Sequence, residues 1–417
     1  MKFDTIIIGG GLSGLVSAIE SARAGRATAI VSAGQSALHF WSGSFELLGN
    51  CHGETIIDNP LGYISRLEEN HPYRKIGTEG LQRMLARVPE LLKEAGMKST
   101  GSLQRNHFRL TPLGFIKPAW LTLDDYVAFD SDTVLPWKKV ALVNIYSYLD
   151  FYPRFLEFGL RNHGVQCSMA SVNIPQLNTL RKSTTEMRAT NISRFLTDDA
   201  VDALAEKVNA VAGDAEAVIM PAVLGIFSDE PVNRFRSQVK CPVWFVPTTP
   251  ASVPGVRCQL SLRDYFIRLG GQYLPGDTVK HGVISNHRLE RIYTENLGDM
   301  PLEAENFVIS TGSFFGHGLI ADMERIYEPV FGLDLNVSGG RTEWYRKELY
   351  DAQPYMGFGV ITDDKFRPSR KGETIDNLYA TGALLSGFNA LKEGSGAGIT
   401  LATALSAAEN INGCGTI

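Results

Sequence analysis

Thr5-Ile6-Ile7-Ile8-Gly9-Gly10-Gly11-Leu12-Ser13-Gly14 stands near the start of the chain and carries its strongest structural signal. The run Thr5–Ile8 is predicted to be a buried strand, because β-branched side chains suit a pleated surface and leave no polar face. Gly9–Gly14 matches G-x-G-x-x-G, a weak pattern on its own. Context gives it weight. Leu15, Val16, Ile19 and Ala22 follow at helical spacing, Gly25 closes that helix, and Ala27–Ser32 reads as a second strand. In such a β-α-β unit Gly9 permits the tight turn, Gly11 lets the backbone approach a phosphate, and Gly14 lets helix and strand pack closely. The helix start, with Ser13 in its first turn, offers unpaired N–H groups and a positive dipole end to an anion. A glycine turn without a ligand is the plain alternative, and the strand–turn–helix setting argues against it.

The end of the second strand bears on which nucleotide is held. An adenine dinucleotide is ordinarily gripped there by Asp or Glu through its ribose hydroxyls. Here the strand ends Ile30-Val31-Ser32, and no acid follows until Glu46. Ser32 offers only an uncharged hydrogen bond, weaker than a carboxylate's. NAD or FAD held by the adenosine half is thereby disfavoured, and FMN, which lacks that half, comes forward. FAD stays as the alternative.

Further along, Gly270–Leu274 begins a strand and Pro275-Gly276-Asp277 makes a turn. Short strands are predicted around 279–284, 289–294 and 302–308, the last leading into Ser310-Thr311-Gly312. This looks like the β-meander of two-part flavoproteins, with Thr311 and Gly312 beside the cofactor. Asn377-Leu378-Tyr379-Ala380-Thr381-Gly382 gives another strand ending in glycine. Gly387, Gly394, Gly396 and Gly398 then lead into an Ala/Leu-rich helix over roughly 397–411. That piece resembles the closing flavin motif of the fumarate-reductase and glutathione-reductase superfamilies. A flexible glycine loop before a core helix is the simpler reading of the last piece alone. Three motifs in this order rarely arise by accident.

Between them, Leu81, Met84, Leu85, Val88, Leu91, Leu92 and Ala95 form one helical stripe that Pro89 should kink. From 136 to 254 the chain changes character. A strand at Val140–Tyr146 is followed by a helix rich in aromatics, and buried strands at Ala217–Val223 and Val243–Val246 alternate with helices at 198–212 and 229–239. The expected fold class is α/β: a Rossmann-like, two-part flavin-binding domain (βαβ plus β-meander) over 1–135 and 255–417, with 136–254 an inserted α/β cap or interface domain. Arg188, Asn191 and Arg194 fall on one helical face, where they would receive a phosphate or a partner's carboxylates, or else form a solvated, salt-bridged face.

The totals fit this plan. The 417 residues exceed one compact core, and 44% hydrophobic with 20% charged residues is ordinary globular composition. A net charge of −5 argues against nucleic acid as a partner. Cys51, Cys167, Cys241, Cys258 and Cys414 show no C-x-x-C spacing, so no metal or iron–sulfur site is expected. No stretch approaches the ~20 apolar residues of a membrane span, and Gly9–Gly11 interrupts any signal-peptide core. Membrane association would go through a partner.

Gly34–Phe40, Arg109–Gly114, Glu186–Ile192, Thr311–Phe315 and Gly339-Gly340-Arg341-Thr342-Glu343-Trp344-Tyr345 together resemble the B subunits of anaerobic glycerol-3-phosphate dehydrogenases, in that family's order and over nearly the whole chain. Those proteins likewise have a small polar residue after the second strand and are described as using FMN. The resemblance implies an enzyme of anaerobic respiration and glycerol metabolism, with a catalytic A subunit carrying FAD and a membrane-associated C subunit carrying iron–sulfur clusters. It implies oxidation of glycerol 3-phosphate to dihydroxyacetone phosphate, electrons passing to quinone and then fumarate or nitrate. The expected location is cytoplasmic, peripheral at the inner face of the cell membrane through the complex. The cofactor set comprises Gly9, Gly11, Ser13, Gly14, Ser32, Ser42, Thr311, Gly312, Gly382, Gly394, Gly396 and Gly398. His39, on the loop after the second strand, is the candidate general base, its ordinary pKa near 6.5 suiting proton removal from a hydroxyl. Arg341, displayed by a Gly-Gly turn, is the candidate phosphate contact; Arg367 and Arg370 read as surface charges. A docking scaffold or electron relay that leaves substrate chemistry to the A subunit is the competing expectation. A stand-alone NAD(P)H enzyme would need a second G-x-G-x-x-G unit, and Ser147-Tyr148-Leu149 follows the 140–146 strand instead.

Overall fold

The computed structural model describes residues 1–51, 56–183 and 185–413; Cys414 lies outside the described residues. In chain order the longer elements begin with β1 (Lys2–Ile8), α1 (Leu12–Arg23), β2 (Thr28–Ser32), α2 (Pro72–Ile76) and α3 (Thr78–Leu85). Next come β3 (Lys139–Ile145), α4 (Pro153–Asn162), β4 (Gln166–Val172), α5 (Ala189–Phe195), α6 (Asp198–Ala212), β5 (Ala217–Pro221), α7 (Glu230–Gln238), β6 (Val243–Val246) and α8 (Val253–Arg268). The chain then runs through β7 (Gln272–Pro275), β8 (Val279–Ser285), β9 (Arg288–Thr294), β10 (Leu302–Ile309), β11 (Leu378–Ala380) and α9 (Gly396–Asn412). Contacts gather these into two compact units.

The first unit holds Met1–Ala37, Glu46–Leu91 and the chain from Leu262 on. Its sheet runs β7-β2-β1-β10-β9-β8. β1 lies between parallel partners, with Ile6 opposite both Ala29 and Phe307. A strand covered on both faces wants an unbroken apolar run, and Ile6–Ile8 supply it, almost fully buried. One edge of β10 is divided: its start (Leu302, Glu303) pairs antiparallel with β9, its end (Phe307–Ile309) parallel with β11. The meander and the C-terminal strand thus hang on the same strand. α9 is buried nearly all round, as its Ala- and Gly-rich sequence permits, and the Ser17 hydroxyl of α1 donates to the Ala404 carbonyl at 3.3 Å. Buried Glu20 of α1 is paired with Arg23 at 2.6 Å and with Arg87.

The stripe over 81–95 forms two helices rather than one kinked one. α3 ends at Leu85 and a new helix spans Val88–Glu94. Pro89 sits in the first turn of the new helix, where its missing N–H has no intrahelical partner to lose.

The second unit comprises Leu38–Phe45 and Leu92–Ser261. Its parallel sheet runs β4-β3-β5-β6, with α4, α6 and α7 in the crossovers. Two three-stranded antiparallel sheets accompany it: Ser44–Phe45, Leu121–Leu123 and Ser99–Gly101; and Ile116–Ala119, His107–Leu110 and Ala128–Phe129. The boundary therefore falls earlier than the change of composition at 136, since residues 92–135 gather with the second unit. The tie is backbone pairing: the Phe245 amide donates to Asp125 and the Val127 amide to Phe245, at 2.9 and 3.1 Å. The chain up to Ser261 belongs here too, and buried Arg257 forms an ion pair with Asp125 at 3.0 Å.

His107 is buried in this unit, its Nε2 2.6 Å from the Thr122 hydroxyl. Burial pushes its pKa down to about 4, with Asp130 opposing and Arg109 adding to the fall. Between the unfolded value near 6.5 and about 4 the unfolded chain binds the extra proton, so stability rises with pH across that window and is lost on acidification. We expect urea unfolding at pH 5 to show a loss of about 2 kcal/mol relative to pH 7 from this group. His107→Gln should flatten that part of the pH profile; an unchanged slope would count against the assignment.

Candidate functional site

The first unit sets the N-terminal glycine turn beside Ser310–Thr311 and beside Gly382. Gly9 leaves β1 at φ +115°, a conformation costly for any other residue, with a methyl group there overlapping the Ser310 carbonyl. A methyl on Gly14 would overlap the Gly9 carbonyl oxygen, so the missing Cβ is what seats α1 on β1. Gly11 is different: it is the N-cap of α1, makes no side-chain capping bond, and the nearest atom to a Cβ there would be Ser36 Cβ at 3.7 Å. No acid stands in the first turn of α1. The N-terminal amides of α1 keep their hydrogen-bonding capacity and positive dipole end for an anion.

Directly beside this turn, β10 ends at Ser310-Thr311-Gly312. The Ser310 amide donates to Ile8 at 2.8 Å, and its hydroxyl lies 2.7 Å from that of Thr381, just past β11. A methyl on Gly382 would lie 2.7 Å from Ser13 Oγ, and the Gly382 amide donates to Thr403 of α9 at 2.9 Å. Thr311 Oγ1 is buried and has no hydrogen-bond partner among the described residues. A buried, unpaired hydroxyl costs roughly 1–3 kcal/mol. Set beside a glycine turn, an uncapped helix and two more glycine turns, it fits a polar ligand that would satisfy it. The residues present suit the phosphate and polyol portions of a flavin nucleotide.

The closing glycines divide by role. Gly394 adopts the left-handed conformation that ends the short helix Ala390–Glu393. Gly396 opens α9, and its amide neighbours offer a second helix start. Gly398 serves packing: a methyl there would overlap the Tyr73 hydroxyl, and its amide donates to Glu46 at 2.8 Å. The loop is held by a buried network that the sequence does not announce. His71 Nδ1 accepts from the Tyr73 amide at 3.1 Å, so Nε2 carries the proton and donates to Glu393 Oε2 at 3.2 Å. Glu393 also accepts from the Asn389 amide and the Ser395 hydroxyl. Burial raises its pKa, but the bonds from His71 and Asn389 win and hold it below the ordinary value. Tyr73 donates to the Leu47 carbonyl at 2.7 Å, and burial raises its pKa far above the phenol range.

Ser32 is buried at the end of β2, its hydroxyl donating to the Gly34 carbonyl at 3.3 Å. A methyl on Gly10 would overlap Ser32 Oγ and lie 2.6 Å from Tyr273 Oη, so Gly10, an x position of the pattern, is as constrained as its neighbours. His39 and Ser42 belong to the second unit. Ser42 Oγ is 3.0 Å from Ser44 Oγ. His39 lies in the short helix Ala37–Phe40; burial lowers its pKa, and a hydrogen bond with Gln259 opposes that shift. Arg341 belongs to the first unit, exposed, donating to the Asp322 carbonyl at 3.3 Å. Arg367, half-buried, is occupied by Asp363 at 2.8 Å and Asp376 at 3.3 Å. Of the 188–194 candidates, Arg188 is the N-cap of α5 and pairs with Asp150 at 3.1 Å, and the Asn191 amide donates to the Glu186 carbonyl. No metal-holding cluster occurs among the described residues, and no helix there is long and apolar enough to cross a membrane.

A mixed sheet with a parallel core, a glycine turn on a bare helix start and a second strand ending in glycine beside it define a two-part dinucleotide-binding fold. Residues 4–399 match the family model described as "FAD binding domain". The chain is 40% identical over 416 residues, 99% of its length and 98% of the relative's, to the anaerobic glycerol-3-phosphate dehydrogenase B subunit of Yersinia enterocolitica. It is 39% identical to the protein so named in Yersinia pseudotuberculosis, with the same shares covered, and 37% identical to that of Pectobacterium atrosepticum, covering 99% of both chains. The chain belongs to this family of anaerobic glycerol-3-phosphate dehydrogenase B subunits.

Proposed function

We propose that this chain is the flavin-carrying B subunit of a quinone-linked glycerol-3-phosphate dehydrogenase, working with a catalytic A subunit and an iron–sulfur C subunit at the inner face of the cell membrane. What supports the flavin is the glycine turn at Gly9 against Ser310 and Thr311, with Gly382 against Ser13, and a buried Thr311 hydroxyl that has no partner among the described residues. The relatives' name carries the substrate. When bound, the flavin supplies the electron acceptor for a secondary alcohol and hands electrons on singly or in pairs.

In this reading the α1 amides and Gly11 hold the phosphate, Thr311 donates to the polyol or ring edge, and the α9 start closes the cradle. His39 is the proposed base: burial keeps its imidazole neutral at pH 7, so a ring nitrogen is free to take the proton of a substrate hydroxyl. Arg341 is the proposed phosphate contact. Purified chain under anaerobic conditions, titrated with glycerol 3-phosphate, tests this. Bleaching by substrate alone supports direct catalysis. Bleaching only when the A subunit is added makes the chain a relay, and a colourless chain in the assembled complex overturns the flavin reading.

We propose FMN, since buried Ser32 stands where a carboxylate would hold the ribose of FAD. Flavin released by denaturation and identified by mass should be FMN, and FAD would reverse the proposal. Ser32→Asp is expected to shift the FAD-to-FMN affinity ratio upward by about tenfold, the value of one charge-assisted hydrogen bond.

A further inference from the structure

Where the glycine turn meets the end of β2, the first unit is closed by its own side chains. Three residues converge there. A methyl on Gly10 would overlap Ser32 Oγ and would lie 2.6 Å from Tyr273 Oη. Tyr273 comes from β7, whose register sets it opposite Ile30 and sets Pro275 opposite Ser32. The half-buried Tyr273 ring therefore runs along β2 toward the carboxyl end of that strand, and its hydroxyl reaches the glycine turn.

Ser32 is enclosed from its other sides as well. Its hydroxyl donates to the Gly34 carbonyl at 3.3 Å, its carbonyl accepts from the Asp277 amide at 3.2 Å, and it is 2% exposed. The chain past Gly34 then turns back on the cradle, bringing Ser36 Cβ within 3.7 Å of the place a Cβ on Gly11 would take. The start of α1 itself is left uncapped at Gly11, so a phosphate still finds amides there. In folds of this class the carboxylate ending the second strand must meet an adenosine ribose beside the glycine turn. Here that residue is short, turned onto its own backbone and flanked by a phenol.

We propose that Tyr273 is a specificity-determining residue: with Ser32 and the Gly34–Ser36 segment it closes the adenosine seat, so the cradle takes a flavin monophosphate and turns away the dinucleotide. The inference rests on the reading of this site as a flavin cradle selective for FMN, and names the residue that enforces the choice. Discrimination of this kind combines a withheld contact with an obstructing group. Ser32 withholds the charged hydrogen bond that the ribose would need, and Tyr273 bars the space. Gly10 belongs to the same device, because any side chain there would displace the phenol.

The test uses the full chain stripped of flavin and titrated separately with FMN, FAD and AMP, the last carrying the adenosine half alone. Wild type is compared with Tyr273→Ala, with Tyr273→Leu, which keeps apolar packing on the sheet while withdrawing the hydroxyl, and with Tyr273→Leu combined with Ser32→Asp. Tyr293→Ala, which removes a half-buried ring from β9 of the same sheet, is the control. The FAD-to-FMN affinity ratio is expected to rise at least tenfold (~10) in each single Tyr273 variant and about a hundredfold in the double variant. AMP should bind the double variant and neither wild type nor the control. A general loosening of the fold would weaken both flavins alike, so the ratio reports the seat rather than stability. Tyr273 variants that keep the wild-type ratio overturn the role of Tyr273 and leave the FMN reading standing. A wild-type chain that binds FAD as tightly as FMN, or that binds AMP, overturns the FMN reading and the closed seat with it.

Discussion

Gly14→Ala is expected to give a chain that retains less than a tenth of the wild-type flavin and unfolds at lower urea. Two effects oppose each other at this position. Alanine is the better helix former and would add about 1 kcal/mol within α1. Its methyl, however, would occupy the place of the Gly9 carbonyl oxygen, a backbone atom that cannot rotate away. Overpacking against fixed backbone costs roughly 1–3 kcal/mol or more, and relief requires α1 to lift from β1. The steric term wins, and the lifting moves the helix-start amides off the phosphate position. Released-flavin absorbance and urea unfolding read the two consequences separately. Gly34→Ala is the control, since a Cβ there meets nothing within 4 Å. A Gly14→Ala chain with full flavin content would refute the cradle.

Arg257→Met is expected to destabilise the second unit by about 3–5 kcal/mol, the usual cost of leaving one member of a buried pair alone. Arg257 is 4% exposed and Asp125 8%, the guanidinium also donating to the Gly225 carbonyl at 3.3 Å. Methionine keeps the volume, so the loss reports charge rather than a cavity. Adding Asp125→Asn removes the stranded carboxylate and should recover at least half of the loss, because a neutral amide is far cheaper to bury. Chemical unfolding of the three chains decides it. A single variant within 1 kcal/mol of wild type would show that the pair contributes little.

Much of the first unit was legible in the sequence because its signals are local. A β-branched run, a glycine turn and an apolar helix stripe each occupy a dozen residues or fewer, and β1, α1 and β2 fall where the pattern puts them. The meander strands and α9 were legible for the same reason. Gly10 was not, since the fingerprint treats its position as free; Ser32 at the end of β2 and Tyr273, brought alongside by the pairing of β7 with β2, make it tight. The His71–Glu393 bond joins residues 322 positions apart, and no periodicity marks such a pair. The early boundary of the second unit was hidden because strands as short as Ser44–Phe45 carry no alternation to read. The exposed Arg341 and the paired Arg367 differ only in their neighbours, which composition does not reveal.

The divided edge of β10 and the Ser17–Ala404 bond impose an order of events on biosynthesis. The two partners of that bond are 387 positions apart, so strand β1 emerges from the ribosome long before α9 exists to cover its helix. At ~5–20 residues per second, the N-terminal half-cradle waits on the order of tens of seconds. A chain cut before α9 is therefore expected to hold no flavin, a result that released-flavin absorbance would check.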